Sequence, residues 1–125
     1  MKRDMDLVRK ILLAVEDSDE EDLRNRWLEV DGFDRIMVAR HVEIMAEANL
    51  VDALVARADN SPAQAARVYK LTWAGYDFLD AIRNESTWSK TKQFVKEKLG
   101  SASFEIVKAV AVKIAHDQLN LPTLP

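Results

Sequence analysis

The chain has 125 residues, of which 48% are hydrophobic and 31% charged, with a formal net charge of −3, the balance of one globular domain large enough to bury a core. It contains no cysteine, which excludes disulfide frameworks, thiolate metal sites and cysteine nucleophiles. The charge is uneven: residues 1–60 carry nine Lys and Arg against fifteen Asp and Glu, whereas residues 61–125 carry nine against six.

The opening MKRDMDLVRKILLAVED interrupts its apolar residues with Asp4, Asp6, Arg9 and Lys10, and it lacks the apolar run and cleavage site of a signal peptide. It reads as a first helix of the mature protein, capped by Asp4 or Asp6, with Leu7, Val8, Ile11, Leu12 and Val15 on one stripe. No apolar run approaches a membrane span, so no membrane is expected and the expected location is cytoplasmic. Glu16, Asp17, Asp19, Glu20, Glu21 and Asp22 follow, six acids in seven residues. They form either a solvated loop or helix start, where acids complement the dipole, or an acidic patch that meets a basic partner.

Trp27–Val30 is a short strand candidate ended by the Asp31-Gly32 turn, placed to become a third strand beside a later hairpin. Asp34 then caps a helix through about Ala48, with Val38, His41, Val42, Met45 and Ala48 on its stripe. Asn49 closes that helix in the left-handed conformation. Residues 50–57 read as a strand, 58–65 as a loop tip and 66–71 as the returning strand. Thr72 caps a helix carrying Trp73, Phe78, Leu79 and Ile82, with Tyr76 near the stripe edge and Gly75 in a close backbone contact. Asn84-Glu85-Ser86 breaks the pattern, and Ser86 is expected to cap a helix with Trp88, Thr91, Val95 and Leu99 inward and Lys90, Lys92, Lys96 and Lys98 outward, ending at Gly100. Ser101-Ala102-Ser103 opens a last helix with Val107, Val110, Ala111, Ile114 and Gln118 on a stripe widened by Phe104 and Ile106, stopped by Leu119-Asn120-Leu121-Pro122. A stripe that wide at a terminus predicts a homodimer through the terminal helices, testable by light scattering.

Helix, two-stranded wing and a following helix introduced by Leu71-Thr72-Trp73-Ala74-Gly75 form the arrangement of winged-helix domains. The expected class is α+β: a mostly helical winged-helix-like core over residues 1–83, with a small antiparallel sheet, and a C-terminal helical extension over residues 84–125 packed on the same domain.

The segments MKRDMDLVRKILLAVE, HVEIMAEANLVDA, LTWAGYDFLDAIRNESTWSKTK and SFEIVKAVA resemble the domain of unknown function 2513 family across nearly the whole chain. The resemblance implies a small bacterial protein of phages, prophages and other mobile elements, and brings no assigned activity. A looser likeness links the post-wing Leu71–Gly75 segment to MarR-like and PadR-like regulators. Those place a scaffold helix before the recognition helix, where this chain has the acidic run, the Trp27–Val30 segment and a turn.

No catalytic constellation stands out. His41 and His116 lie 75 positions apart and outside any metal-ligand spacing, and the three glycines, Gly32, Gly75 and Gly100, form no phosphate loop. Asp77 and Asp80 have no partner that would tune one as an acid. No enzyme, cofactor or metal is expected, His41 is expected to be a hydrogen-bonded core residue, and the tryptophans at helical spacing are expected to pack. Two functions remain. In the first, the chain is a transcriptional regulator that binds double-stranded DNA, with Arg35, Arg40 and His41 at the groove and Arg57, Arg67 and Lys70 of the wing on phosphates. The acidic total argues against this partner, although a local basic face can override it. In the second, the fold is a scaffold for binding a host protein, such as a defence or transcription component, met by the acidic residues Glu16–Asp22.

Overall fold

The structure is a computed structural model and is described for residues 1–119. Six helices and one antiparallel hairpin follow in the order α1 (Met5–Asp17), α2 (Glu20–Asn25), α3 (Arg35–Glu47), β1 (Val51–Ala56), β2 (Ala65–Leu71), α4 (Trp73–Ile82), α5 (Glu85–Lys98) and α6 (Phe104–Leu119). The class is α+β with a small hairpin wing. The chain groups into two compact units, one ending at Tyr76 and the other starting at Asp77, so the division falls inside α4. The helix stop from Asn120 onward lies outside the described residues.

In the first unit, polar caps set the helix starts. The Asp4 carboxylate accepts from the N–H groups of Asp6 and Leu7 at 2.9 and 3.2 Å, and Asp34 accepts from that of Met37 at 2.8 Å. Leu7, Val8, Ile11, Leu12 and Val15 of α1 are buried as the stripe predicts, and so are Val38, Ala39, His41, Val42 and Met45 of α3. Ala48, expected on that stripe, is exposed at the helix end. Asn49 ends α3 at φ +62°, which turns the chain directly into β1.

The hairpin pairs Asp52 with Lys70 and Ala53 with Val68, so Tyr69 is an extra residue that bulges β2. Trp27–Val30 is not the expected third strand. A single backbone hydrogen bond, from the Leu28 N–H to the Ala66 carbonyl at 2.7 Å, holds it beside β2. The Val30 carbonyl accepts the Phe33 N–H at 3.1 Å in the Asp31-Gly32 turn, so it is taken up there and no ladder follows the Leu28 bond. The acidic run is the end of α1 and the first turn of α2, a helix of six residues that buries Leu23 and packs on β2.

Gly75 seats the first turn of α4 against the α3–β1 corner. A Cβ there would overlap the carbonyl oxygen of Leu50, so only glycine permits this approach. The Thr72 hydroxyl accepts from the Gly75 N–H at 3.0 Å and donates to the Asn49 carbonyl, and the Thr72 N–H donates to the Leu50 carbonyl at 3.0 Å.

In the second unit the Phe78 and Phe104 rings meet edge to face, 5.5 Å apart at 88°. The cap of α5 is Asn84 and not Ser86: its side chain accepts from the Thr87 N–H at 3.0 Å, which starts the helix two residues earlier. Thr87, Trp88 and Thr91 face inward, while Leu99, expected inward, caps the helix and is exposed. The Thr87 hydroxyl donates to Gln118 Oε1 at 3.0 Å, so α5 and α6 run antiparallel. Ser103 accepts from the Ile106 N–H at 3.2 Å, opening α6, of which only Val107 and Ala111 are fully buried.

Candidate functional site

The residues expected to meet DNA divide sharply. His41 is fully buried, and both ring nitrogens are used. Nε2 accepts the Asp4 N–H at 2.8 Å, which requires the proton on Nδ1, where it is donated to the Met37 carbonyl at 2.9 Å. His41 therefore ties the start of α1 to α3 and is removed from the groove-contacting set. Arg35 is exposed and Arg40 half-buried, and among the described residues neither has a carboxylate partner. The rest of the outer face of α3 is mixed, with Ile36, Met37 and Ile44 beside Glu43 and Glu47.

Each wing cation is engaged within the chain. Arg57 pairs with Glu43 of α3. Arg67 lies over the Trp27 ring at 4.3 Å, with its Nε buried and without a hydrogen-bond partner. Lys70 sits 3.5 Å from Asp52, its cross-strand partner in the register. The Lys70 pair is exposed and contributes little energy, yet it puts a carboxylate where a phosphate would approach.

The acids of residues 16–22 are also partly committed. Asp19 caps α2 by accepting the Asp22 N–H at 2.8 Å. Glu20 pairs with Arg24 at 3.8 Å and Asp22 with Arg26 at 3.9 Å, each one helical turn apart. Glu16 has a partner as well, whereas Asp17 and Glu21 are in no ion pair among the described residues.

The surface the sequence pattern missed lies at the start of α4. Trp73, expected to pack, is 84% exposed, and Tyr76, one turn on, is 45% exposed. Both project from the turn that Thr72 and Gly75 clamp onto the α3–β1 corner, where Glu47, Ala48 and Asn49 are exposed too. Trp27 is half-buried under Arg67 and Trp88 is buried, so Trp73 alone of the three tryptophans is presented to solvent. Among the described residues no group of three or more His, Asp or Glu is placed to hold a metal ion, and no helix is long and apolar enough to cross a membrane.

A family model described as "Hypothetical protein (DUF2513)" matches residues 2–102. An uncharacterized protein of Haemophilus influenzae is 36% identical over 121 residues, covering 95% of this chain and 99% of that relative. No solved structure matches the chain.

Proposed function

The chain belongs to the DUF2513 family, and we propose that it acts as a non-catalytic protein-binding module in which a winged-helix scaffold presents Trp73 and Tyr76 to a partner protein. One observation carries this reading: a tryptophan that is 84% exposed stands on a rigid, capped and glycine-anchored helix start. Trp and Tyr are the side chains that dominate the energy of protein interfaces, and a fixed pedestal removes part of the ordering cost of binding. A polar rim is at hand in Glu47 and Asn49, and Asp17 and Glu21 offer a second, long-range attraction for a basic partner. The family resemblance makes a host factor the expected partner of a phage or mobile-element protein.

The test is affinity capture with the wild-type chain and with the Trp73→Ala/Tyr76→Ala variant side by side. The expected result is a stoichiometric partner that the wild type retains and the variant loses at unchanged circular dichroism. A partner held equally by both would reject the aromatic face.

A second reading, binding of double-stranded DNA through α3, is favoured by Arg35 and Arg40, which have no carboxylate partner among the described residues. It predicts salt-dependent duplex binding that Arg35→Glu/Arg40→Glu abolishes. The engaged wing cations rank it second.

A further inference from the structure

The positive charge left uncommitted by the second unit gathers on α5. Elsewhere in that unit the cations have carboxylates: Lys108 with Asp77 at 3.9 Å, Lys113 with Asp117 at 3.2 Å and Arg83 with Asp80 at 3.1 Å. On α5, Lys90, Lys96 and Lys98 are exposed and in no ion pair among the described residues, and Lys92 lies over the Trp88 ring at 5.7 Å. Between Lys90 and Lys98 the one acid is Glu97, which accepts from the side-chain amide of Gln93 at 3.1 Å.

An aromatic side chain interrupts the lysines. Phe94 is 44% exposed and stands four residues after Lys90 and four before Lys98. Side chains four apart lie one above the other, about 6 Å along the axis per step, so Lys90, Phe94 and Lys98 make one ridge. The adjoining face of α5 is already used, with Thr87, Trp88 and Thr91 buried and Thr87 bonded to Gln118 of α6.

We infer that this ridge binds single-stranded nucleic acid, with lysines on phosphates and Phe94 stacked on a base between them. The charge is complementary to phosphate, and an aromatic ring between cations is the arrangement that holds an unpaired strand without reading its sequence. A duplex hides its base faces, so Phe94 would have nothing to stack on. A lipid surface needs a broad apolar face to sink into it, and the apolar side of α5 is buried within its own unit. The inference stands apart from the Trp73 surface, which lies in the other unit.

The test uses the full chain and a fluorescent oligothymidine in anisotropy titrations across a salt series, with a labelled duplex and vesicles of anionic phospholipid as parallel probes. The two ridge lysines give an expected slope of about −1.4 in log affinity against log salt. Lys90→Glu/Lys96→Glu/Lys98→Glu should weaken oligothymidine at least about tenfold, and Phe94→Ala about tenfold, while Phe94→Ala leaves binding to heparin unchanged. All four side chains are exposed, and circular dichroism of the variants checks that they fold. No oligothymidine binding at low salt overturns the inference. So does binding that the lysine variant retains, or vesicle binding that exceeds oligothymidine binding. Loss on Arg35→Glu/Arg40→Glu instead would move the contact to α3.

Discussion

Replacing Gly75 by alanine sets two known effects against each other. Alanine is the better helix former, by about 1 kcal/mol in a helix interior, and α4 would gain that on propensity alone. Against it stands the Leu50 carbonyl, which occupies the space of the new methyl group, with the Leu50 carbonyl carbon 3.0 Å and the Leu71 Cβ 3.4 Å from it. The obstacle is backbone, which cannot rotate aside as a flexible side chain does. Overpacking of this kind costs about 1–3 kcal/mol, and a displaced Leu50 carbonyl also weakens the Thr72 N–H bond it accepts, about 1 kcal/mol more. The expected balance for Gly75→Ala is a loss of about 2 kcal/mol, and Gly75→Val should lose more. Urea unfolding followed by circular dichroism measures it as a lower midpoint at constant slope. An alanine variant as stable as the wild type would refute the close approach, because propensity would then have won. Affinity for the partner should fall with stability, since the same clamp aims Trp73.

The remaining expectations separate structural from surface roles. His41→Leu leaves the Asp4 N–H without its acceptor and should cost about 1–3 kcal/mol, read by urea unfolding. Asp34→Ala removes the α3 cap and should cost about 1 kcal/mol in the same assay. Trp73→Ala should change stability by less than about 0.5 kcal/mol while removing the partner, because the ring packs on almost nothing. For Arg57 and Glu43 a double-mutant cycle should give a coupling below about 1 kcal/mol, since half of the Arg57 side chain is open to solvent and screened.

Helix starts were legible because capping is local chemistry. Asp4, Asp34 and Thr72 each stand three residues before an N–H that needs an acceptor, or closer, and each is used. The α5 start was misread because Asn84 and Ser86 are both competent caps, and spacing alone does not choose between them. Trp73 was misplaced by its chemistry, not by its position. It precedes Ile82 by nine residues, about 900° of rotation or half a turn out of phase, so the helical period itself points it away from the buried Phe78, Leu79 and Ile82. Gly75 falls on the buried side by the same count, and there the expectation of close packing held. The Trp27–Val30 strand failed for a different reason: β-propensity marks a segment suited to a sheet, but the turn takes up the Val30 carbonyl and only the Leu28 N–H bonds to β2.

Charges behaved differently from caps, because sequence gives their positions and only the fold gives their partners. Arg57 and Glu43 are brought together by the turn at Asn49, and Arg67 reaches Trp27 across the single hydrogen bond from Leu28 to Ala66. Lys70 opposite Asp52 follows from the hairpin register, which the bulge at Tyr69 shifts by one residue. A wing that looked basic is thereby close to neutral, while a lysine helix with no evident role keeps its charge. Since counterion release follows from cations that phosphate can neutralise, a cation already facing a carboxylate contributes less to the salt slope than a free one. Reversing Lys90, Lys96 and Lys98 should therefore reduce the salt dependence of nucleic-acid binding more than reversing Arg57, Arg67 and Lys70, although each set removes three cations from the same chain. The opposite ranking would mean that the wing pairs open on contact, and would restore the hairpin as the phosphate-binding element.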